Sequence, residues 1–485
     1  MIEPTPRPEP MYPGEMTDEN IRRIFRDAGD FNARKILASG QILFGYAIDG
    51  LTSGGDISEY VFKPLMEQLS GADMQQLYEH AMDAIVVNSV AVACESLDDV
   101  AVMLVNGFCV VLFPGAGAIA FETKTGEKRG ISPPEMENTA KGPKDAFVET
   151  VRTNTSLVRR HLRSPDLRLY ETKVGRRSLT LVTVAYIKGI TDPELVQRMK
   201  QRLDQIDVDG FLSPAAVEEY VTGSRATAFP LLQYTQRADR FCQGLLDGRV
   251  GVLVDGLPLG YLAPVDIGIL MESQEDLAKD YVSASCIRLL RYASLLLSLL
   301  LPGFYIAMAT YHQEMIPLPL LRAVIESKQS VPFSTAVEVI GLLLAFELLQ
   351  ESGVHLPKAI GQSVSIIGGI VVGSAAVEAS LISPAALIAV SVAGICGFVL
   401  PNRDLADAVR MWRLGIAAAA VIGGLFGLTA GVILLLIHLS GLESLGVAYL
   451  HPFTKWKKAG VLRERLSRRK LRDPEFQPKD RRNQK

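Results

Sequence analysis

Two carboxylates fall inside a stretch otherwise suited to hydrocarbon. Glu338 and Glu347 lie in the apolar run 333–350. A carboxylate in lipid is costly, so each should face protein, a water cavity or the interface. Glu347 stands near a helix end, where headgroup level accounts for it. Glu338 has no such explanation and is a candidate for an ion path or a subunit contact. The segment 359–378 is rich in small and hydroxyl residues, among them Gly361, Ser363, Ser365, Gly368, Gly369, Gly373 and Ser374. The Gly369-xxx-Gly373 spacing lets helices approach closely, either within the chain or around an axis shared with other copies. In the second case Ser365, Gly369 and Gly373 would face the axis, and Val371 or Val372 would narrow a pore that gates by dewetting. Glu378 ends the segment. A ring of such carboxylates would attract cations, whereas one alone would be an interfacial charge.

Other chemistry finds no support. There is no GxGxxG, Walker loop, HExxH or GxSxG, and no nucleophile–base constellation. Asp204, Asp207 and Asp209 read as the end of a helix and a turn. Arg159-Arg160 and Arg176-Arg177 read as solvated faces or ion-pair partners. The five cysteines show no paired spacing, which fits a reducing compartment and indicates neither a disulfide framework nor a metal site. No cofactor and no enzymatic activity are expected.

The elements that must position these groups follow from an uneven distribution of charge. Residues 292–450 hold only 15 charged residues. The stretches 292–313, 359–377, 379–402 and 414–442 carry none, and a crossing helix needs about 20 apolar residues. The chain therefore reads as a soluble α/β region followed by an all-α polytopic membrane domain. Residues 1–30 lack a cleavable-signal pattern and are Pro-rich, so a disordered lead and a cytoplasmic N-terminal domain are expected. The tail 454–485 has 13 basic residues against four acidic ones. Beside a membrane segment that is a positive-inside signal suited to anionic lipid, not a nucleic-acid surface.

Within the soluble part, 17–48 and 59–82 read as helical, and β-rich runs begin near Ala84. Residues 145–163 return to helix, 181–186 read as a buried strand, and Asp192 with Pro193 opens another helix. A short repeat appears: Asn106-Gly107, an apolar run, then Pro114-Gly115 matches Asp247-Gly248, an apolar run, then Asp255-Gly256. It predicts two related units of helix, Gly cap, strand, turn and strand. The expected domains are 1–83 (lead and helical segment), 84–145 and 146–286 (two α/β subdomains), 287–453 (membrane domain, four to six helices) and 454–485 (basic cytoplasmic tail).

In the membrane block, 290–311 should cross first, bent at Pro302-Gly303, with Arg288 and Arg291 at a cytoplasmic entry. Residues 315–331 should lie at the interface, and 382–400 should cross. A cytoplasmic loop should carry Arg403, Arg410 and Arg413. A hairpin broken around Gly424–Gly431 would return the tail to the cytoplasm.

Long ordered strings resemble the GerA-type spore germination receptor A subunit. They include Phe346-Glu347-Leu348-Leu349-Gln350-Glu351-Ser352-Gly353-Val354-His355-Leu356-Pro357, and Ile360 through Gly369 continuing to Glu378-Ala379 and Ser383-Pro384. Upstream, Asn154-Thr155-Ser156-Leu157, Gly175-Arg176-Arg177-Ser178, Asp207-Val208-Asp209-Gly210 and Asp255-Gly256-Leu257-Pro258 fit as well. Departures occur at Gln236 and Ala238, and the first repeat lacks a counterpart of Asp255. The resemblance implies a nutrient-germinant receptor subunit in the spore inner membrane. It would form a homo-oligomeric channel, partnered by a transporter-like B subunit that holds the nutrient and by a C-subunit lipoprotein, and it would release cations. A sporulation paralogue, the stage V A F type, shares these motifs.

Overall fold

The computed structural model describes residues 10–67, 73–85, 90–124, 134, 137, 142–211, 213–223, 226–355 and 373–451. The chain divides into two units. The described part of the first is residues 10–223 and 232–264, and that of the second is residues 226–231 and 265–451.

The first unit opens with helix α1 (Asp18–Ile24), capped by Thr17, whose side chain accepts from the Asn20 amide. Strands β1 (Phe31–Ala38) and β2 (Gln41–Ile48) follow as a hairpin. Then come β3 (Ala91–Cys94), α2 (Leu97–Val105), β4 (Phe108–Phe113) and β5 (Gly117–Glu122). The sheet order is β1-β2-β4-β5-β3, antiparallel throughout. β4 is buried along its whole length because both faces are covered. Ile21, Val100 and Leu104 pack with one face, and Val61, Leu65 and Leu77 with the other. That is why its sequence is an unbroken apolar run and not an alternating one.

The same pattern then repeats. Helix α3 (Val151–His161) leads into the hairpin β6 (Leu167–Val174) and β7 (Thr180–Ile187). After α4 (Pro193–Asp204) come β8 (Gln233–Thr235), α5 (Ala238–Leu246), β9 (Val250–Val254) and β10 (Gly260–Ala263). The order β6-β7-β9-β10-β8 matches the first sheet strand for strand. Gly107 and Gly248 end equivalent helices at φ +83° and +88°, and Gly115 and Gly256 turn equivalent hairpins at +83° and +86°. Both roles need the left-handed region that glycine occupies without penalty.

The repeat is larger than its glycine signature. Residues 17–48, read as helical, are helix only over Asp18–Ile24 and then form β1 and β2. So the first α/β unit begins near Thr17 and not at residue 84. The deciding feature is Ser39-Gly40, with φ of +47° and +79°, which makes a two-residue turn between Ala38 and Gln41. Such a turn matches the twist of a hairpin and overrides the helical spacing on either side. Within 59–82 the helical reading agrees with the described segments Lys63–Glu67 and Met74–His80.

The missing counterpart of Asp255 also has a physical reason. Asp255 Oδ1 accepts from the Val151 amide at 2.9 Å, which caps α3, while Thr150 supplies no side-chain cap. In the first repeat Thr17 caps α1 itself, so the position held by Pro114 has no such task.

In the second unit α6 (Tyr281–Thr310) is followed by α7 (Leu318–Lys328), α8 (Thr335–His355), a helical segment over 373–378 and α9 (Pro384–Phe398). The run Arg403–Ser440 comes last. α6 starts about nine residues before the expected crossing and carries Pro302 inside it. Arg403–Arg413, expected as a loop, is instead the helical start of the last run, with Asn402 Oδ1 accepting from the Leu405 amide. By length and composition, α6 and the run Arg403–Ser440 are apolar enough to cross a membrane.

Candidate functional site

The last run is not one span. Gly423 and Gly424 leave helical geometry, with Gly424 at φ +58° and ψ −134°. We label the arms α10 (403–422) and α11 (425–440). The arms fold back on each other: a Cβ on Gly427 would meet the Ala419 carbonyl oxygen at 2.0 Å, and one on Gly431 would meet Ile416 Cγ1 at 3.2 Å. Trp412 and His438 pack against each other with ring centroids 5.4 Å apart and planes tilted by 39°. These pairs straddle Gly423–Gly424, so the arms are antiparallel, and the glycines allow backbone-level approach. The hairpin anticipated in the sequence is therefore present, with its break at the start of the expected window. Tyr311, just past α6, packs on Gly424 and donates its hydroxyl to the Val421 carbonyl at 2.6 Å. α6 thus runs parallel to α10, with its end at the hairpin tip.

At the other end of α6, charge is buried. Asp276 has a fully buried side chain and takes bonds from both outer nitrogens of Arg291, at 2.7 and 2.9 Å, and from Arg288 Nε at 3.1 Å. Arg288 also reaches Glu272 at 3.4 Å. Burial pushes the Asp276 carboxyl up, but the Arg291 bond and charge, the Ser273 amide and Arg288 outweigh it and hold it below the usual carboxylate range. The two arginines, expected as entry charges, are locked to the loop before the helix.

Glu338 lies on the first turn of α8 and is 2% exposed. Its Oε2 accepts from the Ser383 amide at 2.8 Å and from the Ser383 hydroxyl at 2.6 Å. Ser383 in turn caps α9 by accepting from the Ala386 amide. Glu338 Oε1 lies 3.4 Å from Lys328 Nζ at the end of α7. One carboxylate therefore joins three helices, and its charge is matched. Sequence reading gave Glu338 a role but none to Lys328 or to Ser383. The Ser383-Pro384 pair, a cap followed by Pro at the first helical position, was the available signal.

Glu347 lies nine residues further along α8 and meets α10. Its Oε1 accepts from Arg413 Nη2 at 3.0 Å, and its Oε2 lies 3.3 Å from Arg410 Nη1. Arg410 also pairs with Asp407. A cleft of about 290 Å³ opens beside these four charges, with Leu343, Met411 and Leu414 completing its wall. Glu347 is thus tied to another helix, an arrangement that neither a headgroup position nor the loop expected at Arg403–Arg413 anticipated.

Among the pore or gate candidates, Ser365, Gly369, Val371 and Val372 lie outside the described residues. Gly373 is buried and faces Leu387 of α9, where an added Cβ would make ordinary contact at 3.5 Å. Glu378 is exposed in the last turn of the 373–378 segment. The structure does not bring Glu378 together with Glu338 or Glu347. Among the described residues no cluster of three or more His, Cys, Asp or Glu could hold a metal ion.

In the first unit the arginine and aspartate pairs are ion-pair partners. Arg176 bonds Asp207 at 2.5 Å and Arg177 lies 3.6 Å from Asp209, all four exposed. The Val208 and Asp209 carbonyls accept from the backbone of 176–178, so this cluster fixes a turn. Cys94, Cys109 and Cys242 are buried, and burial pushes each thiol up to about 12.

Known proteins resemble this chain over most of its length. The family model described as "Bacillus/Clostridium GerA spore germination protein" matches residues 19–479. Spore germination protein KA of Bacillus subtilis is 34% identical over 415 residues, 85% of this chain and 76% of that protein. Spore germination protein GerLA of Bacillus cereus is 31% identical over 483 residues, 96% of this chain and 97% of that protein. The membrane protein YfkQ of Bacillus subtilis is 34% identical over 446 residues, covering 91% and 86%. The crystal structure of the N-terminal domain of the A subunit of the Bacillus megaterium spore germinant receptor GerK3 matches at 26% identity. It covers 50% of this chain and 91% of that one, with a TM-score of 0.39. With the family model spanning nearly its whole length, the chain belongs to the GerA spore germination protein family.

Proposed function

We propose that this chain is the A-type subunit of a nutrient-germinant receptor in the spore inner membrane, acting with B and C subunits and not as an enzyme. Its helical unit forms an oligomeric, channel-like assembly that couples germinant sensing by the partners to cation release. Both the α/β unit and the basic tail lie on the cytoplasmic side. The observation that carries this reading is the family match over residues 19–479, which spans both units. Two features of the helical unit support it. Glu338 and Glu347 are both charge-matched and tie helices together, so neither is a free charge within a cation path. We take as the pore candidate the segment ending in Gly373 and the exposed Glu378, with Ser365, Gly369, Val371 and Val372 before it.

Single-channel recording of the reconstituted chain tests this. Cation-selective events are expected, and Val372→Ala or Gly369→Leu should change conductance and ion release from spores. Unchanged germination by spores that still make either variant would remove the pore assignment.

A further inference from the structure

The cleft beside Glu347 has a chemistry that neither the family reading nor the pore reading uses. Its charged wall is balanced, with Arg410 and Arg413 facing Glu347 and Asp407. Arg413 is buried, with a side chain 3% exposed, yet its Nε has no hydrogen-bond partner among the described residues. A buried donor left unmade is costly and calls for an acceptor. The rest of the wall is apolar, and Met411 at its rim is 67% exposed.

We propose that this cleft binds the headgroup of a zwitterionic phospholipid. The phosphate would lie against the Arg410 guanidinium, with Arg413 behind it in the wall, the ammonium against Asp407 and Glu347, and an acyl chain along Leu343 and Met411. Three observations select that ligand. Two guanidinium groups match a phosphate. Two carboxylates would repel a purely anionic headgroup but pair with an ammonium. A volume of about 290 Å³ suits a headgroup and is at the small end of ligand pockets. The inference rests on the membrane placement proposed above.

The test uses the full chain, delipidated in detergent, with phosphatidylethanolamine and phosphatidylglycerol titrated by native mass spectrometry. Phosphatidylethanolamine should bind about tenfold tighter, and Arg410→Gln should weaken it about tenfold while Arg410→Lys retains part of the binding. Asp407→Asn should narrow or invert the preference, because one carboxylate is gone. Equal binding of the two lipids, or an undiminished preference in Asp407→Asn, overturns the proposal. Soluble phosphoethanolamine competing as well as the lipid would overturn the lipid as the source and leave a free zwitterion as the ligand. Failure of the membrane placement itself is read separately, as a chain that does not float with liposomes.

Discussion

Arg159 clamps Asp30 from 129 positions away, with Nε to Oδ2 at 2.7 Å and Nη2 to Oδ1 at 2.8 Å. Both side chains are buried, 0% and 1% exposed. The pair joins the first α/β repeat to the second, beside a bond from the Gly29 amide to the Leu169 carbonyl at 2.7 Å and one from Arg168 to the Ile24 carbonyl at 2.7 Å. Asp30→Ala leaves a buried guanidinium without its counter-charge and should destabilise the α/β unit by about 3–5 kcal/mol. Replacing both residues with apolar side chains of similar volume should recover most of that loss. Hydrogen exchange of β1, β2 and β6 reads both. Equal loss in the single and double variants would mean that the pair acts through its surroundings and not through its charges.

Phe241 fills a slot made by two glycines. A Cβ on Gly251 would stand 2.2 Å from the ring and one on Gly260 2.6 Å from it, and both are in extended strands. Gly251→Ala should cost about 1–3 kcal/mol through overpacking. Gly54→Ala, where an added Cβ meets nothing within 4 Å, is the control and should leave stability unchanged. Adding Phe241→Leu to Gly251→Ala should relieve part of the cost, measured by the same exchange experiment.

The hairpin at Gly423–Gly424 predicts a short distance where a single span predicts a long one. Spin labels at the exposed positions Met411 and Ile437 would lie about 40 Å apart in a straight helix. In the folded-back arms they should lie well under half of that. Gly427→Leu, which drives a side chain into the Ala419 carbonyl, should lengthen or broaden the distance in pulsed dipolar measurements. A long distance in the unaltered protein would exclude the hairpin.

His161 and Asp145 form a pH-sensitive pair, Nε2 to Oδ2 at 2.5 Å. The bond to Asp145 raises the His161 pKa above its ordinary value despite partial burial, and the same bond lowers that of Asp145. The histidine's contribution to stability is complete below pH 6.5 and is lost as pH rises through its raised folded value. The aspartate's contribution is present above pH 3.8 and is lost as pH falls through its lowered folded value. Protection of α3 from exchange should therefore peak between these limits. His161→Gln should flatten the alkaline side of that profile. A variant profile that falls as steeply on that side would assign the loss to another group.

Much of this was legible one segment at a time. Gly107, Gly115, Gly248 and Gly256 announced the repeat because each must take a positive φ, which is a local demand. Asp192 and Pro193 announced α4 for the same kind of reason. The hairpin β1–β2 is not legible from spacing because Ile36 and Leu43, seven apart as on one helix face, are cross-strand partners, and only the Ser39-Gly40 turn separates the two readings. The helical start at Arg403 was missed because its arginines read as loop charges. Their carboxylate, Glu347, lies 66 positions away from Arg413.

The sequence by itself determined the split between a charged α/β part and an apolar helical part, the twofold repeat, and a break in the last apolar run. These follow from hydrophobic period, segment length and backbone sterics, which act over a few residues. Only the tertiary structure decided that Asp30 belongs to Arg159, that Asp276 locks Arg288 and Arg291, that Glu338 caps the start of α9 through Ser383, and that Glu347 faces α10. A buried charge must find a partner, but which partner depends on how helices and sheets pack. Close packing brings distant residues together in a way that no local spacing records.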